Sequence, residues 1–110
     1  MRKILFVCYG NICRSPMAEM IMKKMIKEKE LCDSFYIESA ATSTEEIGSD
    51  IYDLARKKLI EKNIPIEARR ARQLRADDYD NFDYIVGITI GSTVADIALD
   101  IEKKIYWWYS

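Results

Sequence analysis

The chain has 110 residues, of which 49% are hydrophobic and 32% charged, with a net charge of -1. That length supports one domain, 1–110, and the balanced charge argues against a nucleic-acid partner, which normally shows itself as a basic excess. No run approaches the roughly 18 apolar residues of a membrane span, and the absence of histidine leaves acid–base work to other side chains, with no metal or cofactor implied.

Taken in chain order, residues 3–8 (KILFVC) are continuously apolar, as in a strand covered on both faces. The run is too short for a signal-peptide core and ends in Gly10-Asn11 rather than a cleavage site, so a cytoplasmic protein is expected. Ser15-Pro16 has the pattern of an N-cap with proline at the first helical position. Ala18, Ile21, Met22 and Met25 then follow at helical spacing, which predicts a helix over 16–30. Residues 35–40 (FYIESA) predict a second strand, 42–50 a polar loop and 50–62 a second helix. Beyond Pro65 the chain is irregular and basic, and Arg69, Arg70 and Arg72 there read as a solvated loop. A short helix at 75–82, a strand at 83–89, a helix at 92–102 and a strand at 104–110 complete the pattern. Alternating strands and helices predict an α/β fold on a parallel sheet. Cys8, Cys13 and Cys32 are too few and too uneven for a disulfide framework and suit a reducing compartment.

The chemistry is concentrated in Val7–Pro16, VCYGNICRSP. Cys8 stands at a strand end and Arg14 at a helix start, with Tyr9, Gly10, Asn11, Ile12 and Cys13 between them. A loop at the carboxyl end of a strand, leading into a helix, aims backbone N–H groups into one concavity and suits an anion such as phosphate or sulfate. Gly10 permits a positive φ and Asn11 tolerates a left-handed one. Arg14 can hold two phosphate oxygens in a bidentate fork. Those positive groups favour a Cys8 thiolate, and the Ser15 hydroxyl can donate to its sulfur. A thiolate beneath a phosphate is arranged for in-line attack, giving a cysteinyl phosphate that water later hydrolyses. A buried cysteine after a strand is otherwise an ordinary small core residue; the surrounding Gly-Asn, Arg and Ser-Pro favour the phosphate site.

This stretch resembles the low-molecular-weight protein tyrosine phosphatases, through FVCYGNICRSPMAE, then IESAATS, then ARQL and DYDNFDYIV, over about the first 86 residues. The resemblance implies a three-layer α/β/α fold on a four-stranded parallel sheet, with the phosphate loop between the first strand and first helix. It implies a phosphotyrosine protein phosphatase with Cys8 as nucleophile, Arg14 as phosphate clamp, Ser15 as donor to the sulfur and Asn11 as organiser of the loop. Tyr9, Gly10, Asn11, Ile12, Cys13 and Arg14 would contact substrate, and Ser39 would brace Asn11. Cys13 matches a second loop cysteine that can pair reversibly with the nucleophile; the alternative is a packed thiol. The implied substrate is a phosphotyrosine-containing protein or a small aryl phosphate, with no nucleic acid, membrane or cofactor.

The chain departs from the family pattern late in its course. Both prolines, Pro16 and Pro65, lie outside any Asp-Pro, the motif that carries the family's general acid, so the chain reads as C-terminally shortened with its activity impaired. Asp96 and Asp100 are the nearest late aspartates and suit a solvated helix face. Glu45 stands where the family's substrate rim is often aromatic. A non-catalytic phosphate- or phosphoprotein-binding module is the reading from another class. A protein-arginine phosphatase shares the loop pattern but tends to carry threonine where this chain has Ile12. An arsenate reductase would need two further late cysteines, and Cys32 lies too early. Trp107, Trp108 and Tyr109 end the chain on an aromatic strand, and a two-fold homodimer is one way to cover it.

Overall fold

In a computed structural model the described residues are 1–89 and the backbone of 105–109; the helix expected at 92–102, with Asp96 and Asp100, lies outside them. The central strand is β1 (Arg2–Cys8), flanked in parallel by β2 (Phe35–Ala41) and β3 (Tyr84–Thr89). The backbone of β4 (Ile105–Tyr109) runs parallel along β3, giving the order β2-β1-β3-β4. Side-chain burial of the terminal aromatics, on which a dimer was expected to turn, lies outside what is described.

Successive side chains of β1 point to opposite faces. Ile4 and Phe6 pack with Ile37, Ile88 and the α1 (Arg14–Glu28) residues Ala18 and Ile26. Leu5 and Val7 pack on the other face with Ala40, Ile85 and Phe82. The unbroken apolar run of β1 is thus a strand with two buried faces. Helix α2 (Asp53–Glu61) packs Ala55 and Leu59 against Met20 of α1, and the short α3 (Asp78–Asn81) precedes β3.

Helix α1 begins two residues earlier than expected. Its N-cap is Cys13, which makes no side-chain cap bond, so Ser15 and Pro16 lie inside the first turn. Proline is tolerated there because the first four N–H groups have no intrahelical partner. The Ser15 hydroxyl is thereby released from capping and turns towards Cys8. Both β1 and β2 end at the same level, Cys8 opposite Ala41, and the pairing continues through Thr42 N–H to Cys8 O (2.9 Å) and Ser43 N–H to Tyr9 O (3.0 Å). Residues 71–74 lie beside that end, with bonds from Ala41 N–H to Arg72 O and from Leu74 N–H to Ala41 O, both 2.7 Å. The loop 9–13 is therefore walled by two further segments, both at the carboxyl end of the sheet.

Candidate active site

The sulfur of Cys8 is the point on which the loop converges. Asn11 N–H and Ser15 N–H donate to it at 3.3 and 3.4 Å, and Ser15 Oγ lies 3.0 Å away. In place of an N-cap side chain, the sulfur receives a first-turn N–H of α1, where the helix presents partial positive charge. Asn11 Nδ2 donates to Ser15 Oγ at 2.8 Å. That leaves the hydroxyl hydrogen for Cys8 Sγ or, at 3.5 Å, for Ala40 O. Asn11 and Ser15 are fully buried and Cys8 is 9% exposed.

Asn11 takes the left-handed conformation, φ 57°. Gly10, which permits a positive φ, does not use it: among the described glycines only Gly48 adopts one, at 87°. A Cβ at Gly10 would meet Glu46 Cγ at 3.5 Å, an ordinary contact. The bend is thus built on the asparagine, whose side chain is held on all sides. Its Oδ1 accepts from Arg69 Nη2 at 2.5 Å and from Arg72 N–H at 3.2 Å, and Arg69 Nη2 also donates to Asn11 O.

Ser39 does not give its hydroxyl bond to Asn11. It donates to Glu19 Oε1 at 2.5 Å, and Glu19 in turn pairs with Lys23 at 2.7 Å. Glu19 is a buried carboxylate facing β2, and a hydroxyl with a neighbouring ammonium is what its charge requires. The brace expected of Ser39 comes instead from Arg69. Nor is Arg72 a solvated cation: its Nη1 and Nη2 meet the two oxygens of Asp78 at 3.0 Å each, and its Nε meets Glu38. Burial acts to raise the Asp78 carboxyl, but the bonds from Arg72 and from Arg75 N–H outweigh it and hold it below the usual carboxylate range. A period-two signal was present in the sequence, since an extended 69–73 turns Arg69 and Ala71 to one side, and Ala71 is buried.

The remaining donors of the loop are uncommitted. The N–H groups of Gly10, Ile12, Cys13 and Arg14 donate to no acceptor among the described residues, and neither does the half-buried Arg14 guanidinium. The outer residues are Tyr9, 59% exposed, and Cys13, exposed with a free thiol and therefore not the packed residue that was one of its two readings. Glu45 hydrogen-bonds the Tyr9 hydroxyl and its charge faces it, pushing the phenol above its ordinary value. Ile12 turns its carbonyl to Tyr52 N–H at 2.7 Å, tying the loop to the segment before α2. Cys32 is exposed on the turn before β2, at the opposite end of the sheet.

A family model described as low molecular weight phosphotyrosine protein phosphatase matches residues 3–104. The rat low molecular weight phosphotyrosine protein phosphatase is 40% identical over 85 residues, 77% of this chain and 53% of its own length. The chain therefore spans about half the length of the curated relatives it matches. Among solved structures, YfkJ from Bacillus subtilis superposes with a TM-score of 0.86 at 34% identity, covering 97% of this chain and 69% of YfkJ. A Drosophila protein described as an arginine phosphatase superposes with a TM-score of 0.77 at 26% identity, covering 97% of this chain and 69% of its own.

Proposed function

The chain belongs to the low molecular weight phosphotyrosine protein phosphatase family, and from that premise we propose that it hydrolyses aryl phosphomonoesters, phosphotyrosine among them, through Cys8. The observation that carries the reading is the sulfur held by two backbone N–H groups and a hydroxyl, in a loop whose four further N–H groups and Arg14 guanidinium have no acceptor among the described residues.

The Cys8 thiolate attacks phosphorus in line, a sulfur–phosphorus bond forms and the phosphorus–oxygen bond to the aryl group breaks. Charge on the equatorial oxygens is met by Arg14 and the loop amides. Water then attacks the cysteinyl phosphate, releasing inorganic phosphate, while Ser15 steadies the departing thiolate. The 110 residues contain no Asp-Pro, so the aryl oxygen leaves as an anion that takes its proton from water. Turnover of this chain therefore falls by about 10² to 10⁴ for poor leaving groups such as phosphotyrosine. The same reading takes the chain as one three-layer α/β/α domain on a four-stranded parallel sheet, acting in a reducing, cytoplasmic setting that keeps the thiols free.

Rapid mixing with p-nitrophenyl phosphate tests it. A nitrophenolate burst with phosphate trapped on Cys8 is expected; saturable phosphate binding with no burst would make the chain a binding module instead. The arginine-phosphatase relative favours one comparison. Ile12 sets the expectation that phosphotyrosine is turned over faster than phosphoarginine, and the reverse order would reassign the substrate.

A further inference from the structure

A cavity of about 260 Å³ lies outside the loop, bounded by Asp50 before α2, by Arg56 in that helix, and by the segment 66–70 with Glu67, Arg69 and Arg70. Three guanidiniums therefore share one small space, and few of their N–H groups are spent. Arg56 Nη2 donates to Asp50 Oδ2 at 2.8 Å. Arg70 makes one long bond, from Nη1 to Gly48 O at 3.4 Å. Arg69 gives only Nη2, to Asn11, and its Nη1 is buried with no partner among the described residues. Glu67 is bonded to Lys23 at 2.6 Å, so Asp50 is the one lining carboxylate not committed to a lysine. The Ile51 N–H holds the Asp50 carboxyl below its ordinary value against the opposing effect of burial, and the charges of Arg56, Arg70 and Arg69 all act in the same sense as that bond.

We propose that this cavity binds a phosphate group, as a second anion site separate from the loop between β1 and α1. Arg56, Arg69, Arg70 and Lys23 stand against Asp50, Glu67 and Glu19, an excess of one positive charge before any anion enters. The excess is concentrated on the wall of Arg69 and Arg70, because Lys23 is bonded to both glutamates and Arg56 to Asp50. Each guanidinium presents its donors in a planar fork that matches phosphate oxygens. A tetrahedral anion accepts from more than one fork at once, whereas the Asp50 carboxylate already spends one oxygen on Ile51 N–H and the other on Arg56. Buried donors in folded proteins are as a rule partnered, by protein, water or ion, and a phosphate among these arginines would supply acceptors of the charge they need. The volume falls below the roughly 300–1,000 Å³ of pockets for larger ligands, which favours inorganic phosphate or the phosphoryl end of a small ester over a nucleotide. Asp50 and Arg70 are exposed, so the ligand enters from solvent. The site does not rest on the phosphatase reading, although that reaction would release inorganic phosphate from the neighbouring loop.

The experiment is a titration of the isotope-labelled chain with inorganic phosphate, read from backbone amide shifts, with chloride at matched ionic strength as the control. Amides of 48–50 and 66–70 are expected to move together with a midpoint of about 1–10 mM, as for a few charge-assisted hydrogen bonds made in exchange for water. Arg70→Gln should raise that midpoint about tenfold while leaving the midpoint of the loop amides within about twofold. Asp50→Asn keeps an oxygen for Ile51 N–H but removes the competing charge, and should lower the midpoint about threefold. Both side chains are exposed, and unchanged amide shifts elsewhere verify that each variant folds. The inference is overturned by amides 66–70 that respond no more to phosphate than to chloride, by a midpoint indifferent to Arg70→Gln, or by weaker binding in Asp50→Asn. Glycerol phosphate separates the two sources of the anion: tighter binding than inorganic phosphate identifies an ester as the ligand, and weaker binding identifies the free ion. The loop amides keep the two readings apart. A response at 66–70 with a silent loop would sink the proposed reaction and leave this site standing, and a response of the loop alone would do the reverse.

Discussion

The floor of the loop and its rim are made of interleaved residues with opposite habits. Cys8, Asn11 and Ser15 are buried and bonded to one another, with Arg69 and Arg72 N–H closing the set from behind. Tyr9 and Cys13 are exposed, and the Arg14 guanidinium has no partner among the described residues. The Cys8 sulfur is thus oriented by the protein's own contacts, and its cost in buried polar groups is met by hydrogen bonds within the fold. The loop's other donors, which the proposed reading gives to an incoming anion, have no acceptor among the described residues. A preorganised floor lowers the reorganisation needed at the moment of attack, whereas an uncommitted rim leaves binding to whatever charge and shape the ligand brings.

The largest expected effect breaks the floor at its centre. Cys8→Ser should reduce aryl phosphate turnover by more than about 10³-fold, because a hydroxyl is scarcely ionised near neutral pH. Cys32→Ser, at the far end of the sheet, should change it by less than about twofold. Steady-state rates and phosphoenzyme trapping check both; a Cys8→Ser variant that still turns over would place the chemistry elsewhere. Next in size is the rim. Arg14→Ala should lower kcat/KM by about 10²–10³-fold through loss of charge stabilisation in the transition state. Arg14→Lys should recover only part, since an ammonium is a point charge rather than a fork. Full recovery by lysine would show that the bidentate geometry is idle.

These two groups were legible in the sequence because a loop between strand and helix brings close residues together in space. Cys8, Arg14 and Ser15 are at most seven positions apart, and residue type with spacing almost determines their geometry. The strand and helix order was legible for the same local reason, through the unbroken apolar run of β1 and the helical spacing of α1. What the sequence concealed was non-local. The partner of Asn11 lies 58 residues on, in a stretch whose composition suggests a solvated loop. Arg72 looked like its neighbours until Glu38 and Asp78 were brought to it by the fold. Ser39 was placed near the right cluster but on the wrong partner, because nothing local distinguishes a hydroxyl aimed at Glu19 from one aimed at Asn11. The start of α1 was misread since Ser-Pro satisfies both an N-cap and a first-turn reading, and only the sulfur's position decides between them.

A third prediction tests how the floor depends on its distant support. Asp78 is 1% exposed and holds Arg72 in a two-bond pair, while Arg72 N–H supports Asn11. The folded-state carboxyl is held low, so its contribution is present above the unfolded carboxylate value of about 3.9 and is lost as pH falls through the depressed folded value. Asp78→Asn should cost about 2–3 kcal/mol at neutral pH, for a half-buried cation losing one of its two carboxylates. It should also flatten the loss of stability below about pH 4, as measured by urea unfolding across pH. Equal acid sensitivity in both proteins would mean that other carboxylates govern the acid limb and that the latch is weaker than its geometry.

The smallest effect sharpens the contrast at the outermost residue. Glu45 is exposed and its carboxylate sits against the Tyr9 hydroxyl, one residue beyond Cys8. An aryl phosphate dianion entering past Tyr9 meets that negative charge before it meets Arg14. Exposed charges interact weakly in water and are screened within about 8–10 Å at physiological salt. The repulsion therefore belongs in the encounter and in KM rather than in kcat. Glu45→Gln should lower KM for p-nitrophenyl phosphate by about two- to threefold at low salt, leave kcat unchanged and lose most of the difference near 0.5 M salt, where the screening length is only about 4 Å. Loss of the carboxylate should also let the Tyr9 phenol fall back towards about 10, observable as an earlier ultraviolet titration. A substrate carrying a cation beside the phosphate should respond in the opposite sense, binding less well to Glu45→Gln. If kcat falls with Glu45→Gln instead, the residue takes part in the chemical step, and the division between a fixed floor and a passive rim fails at that point.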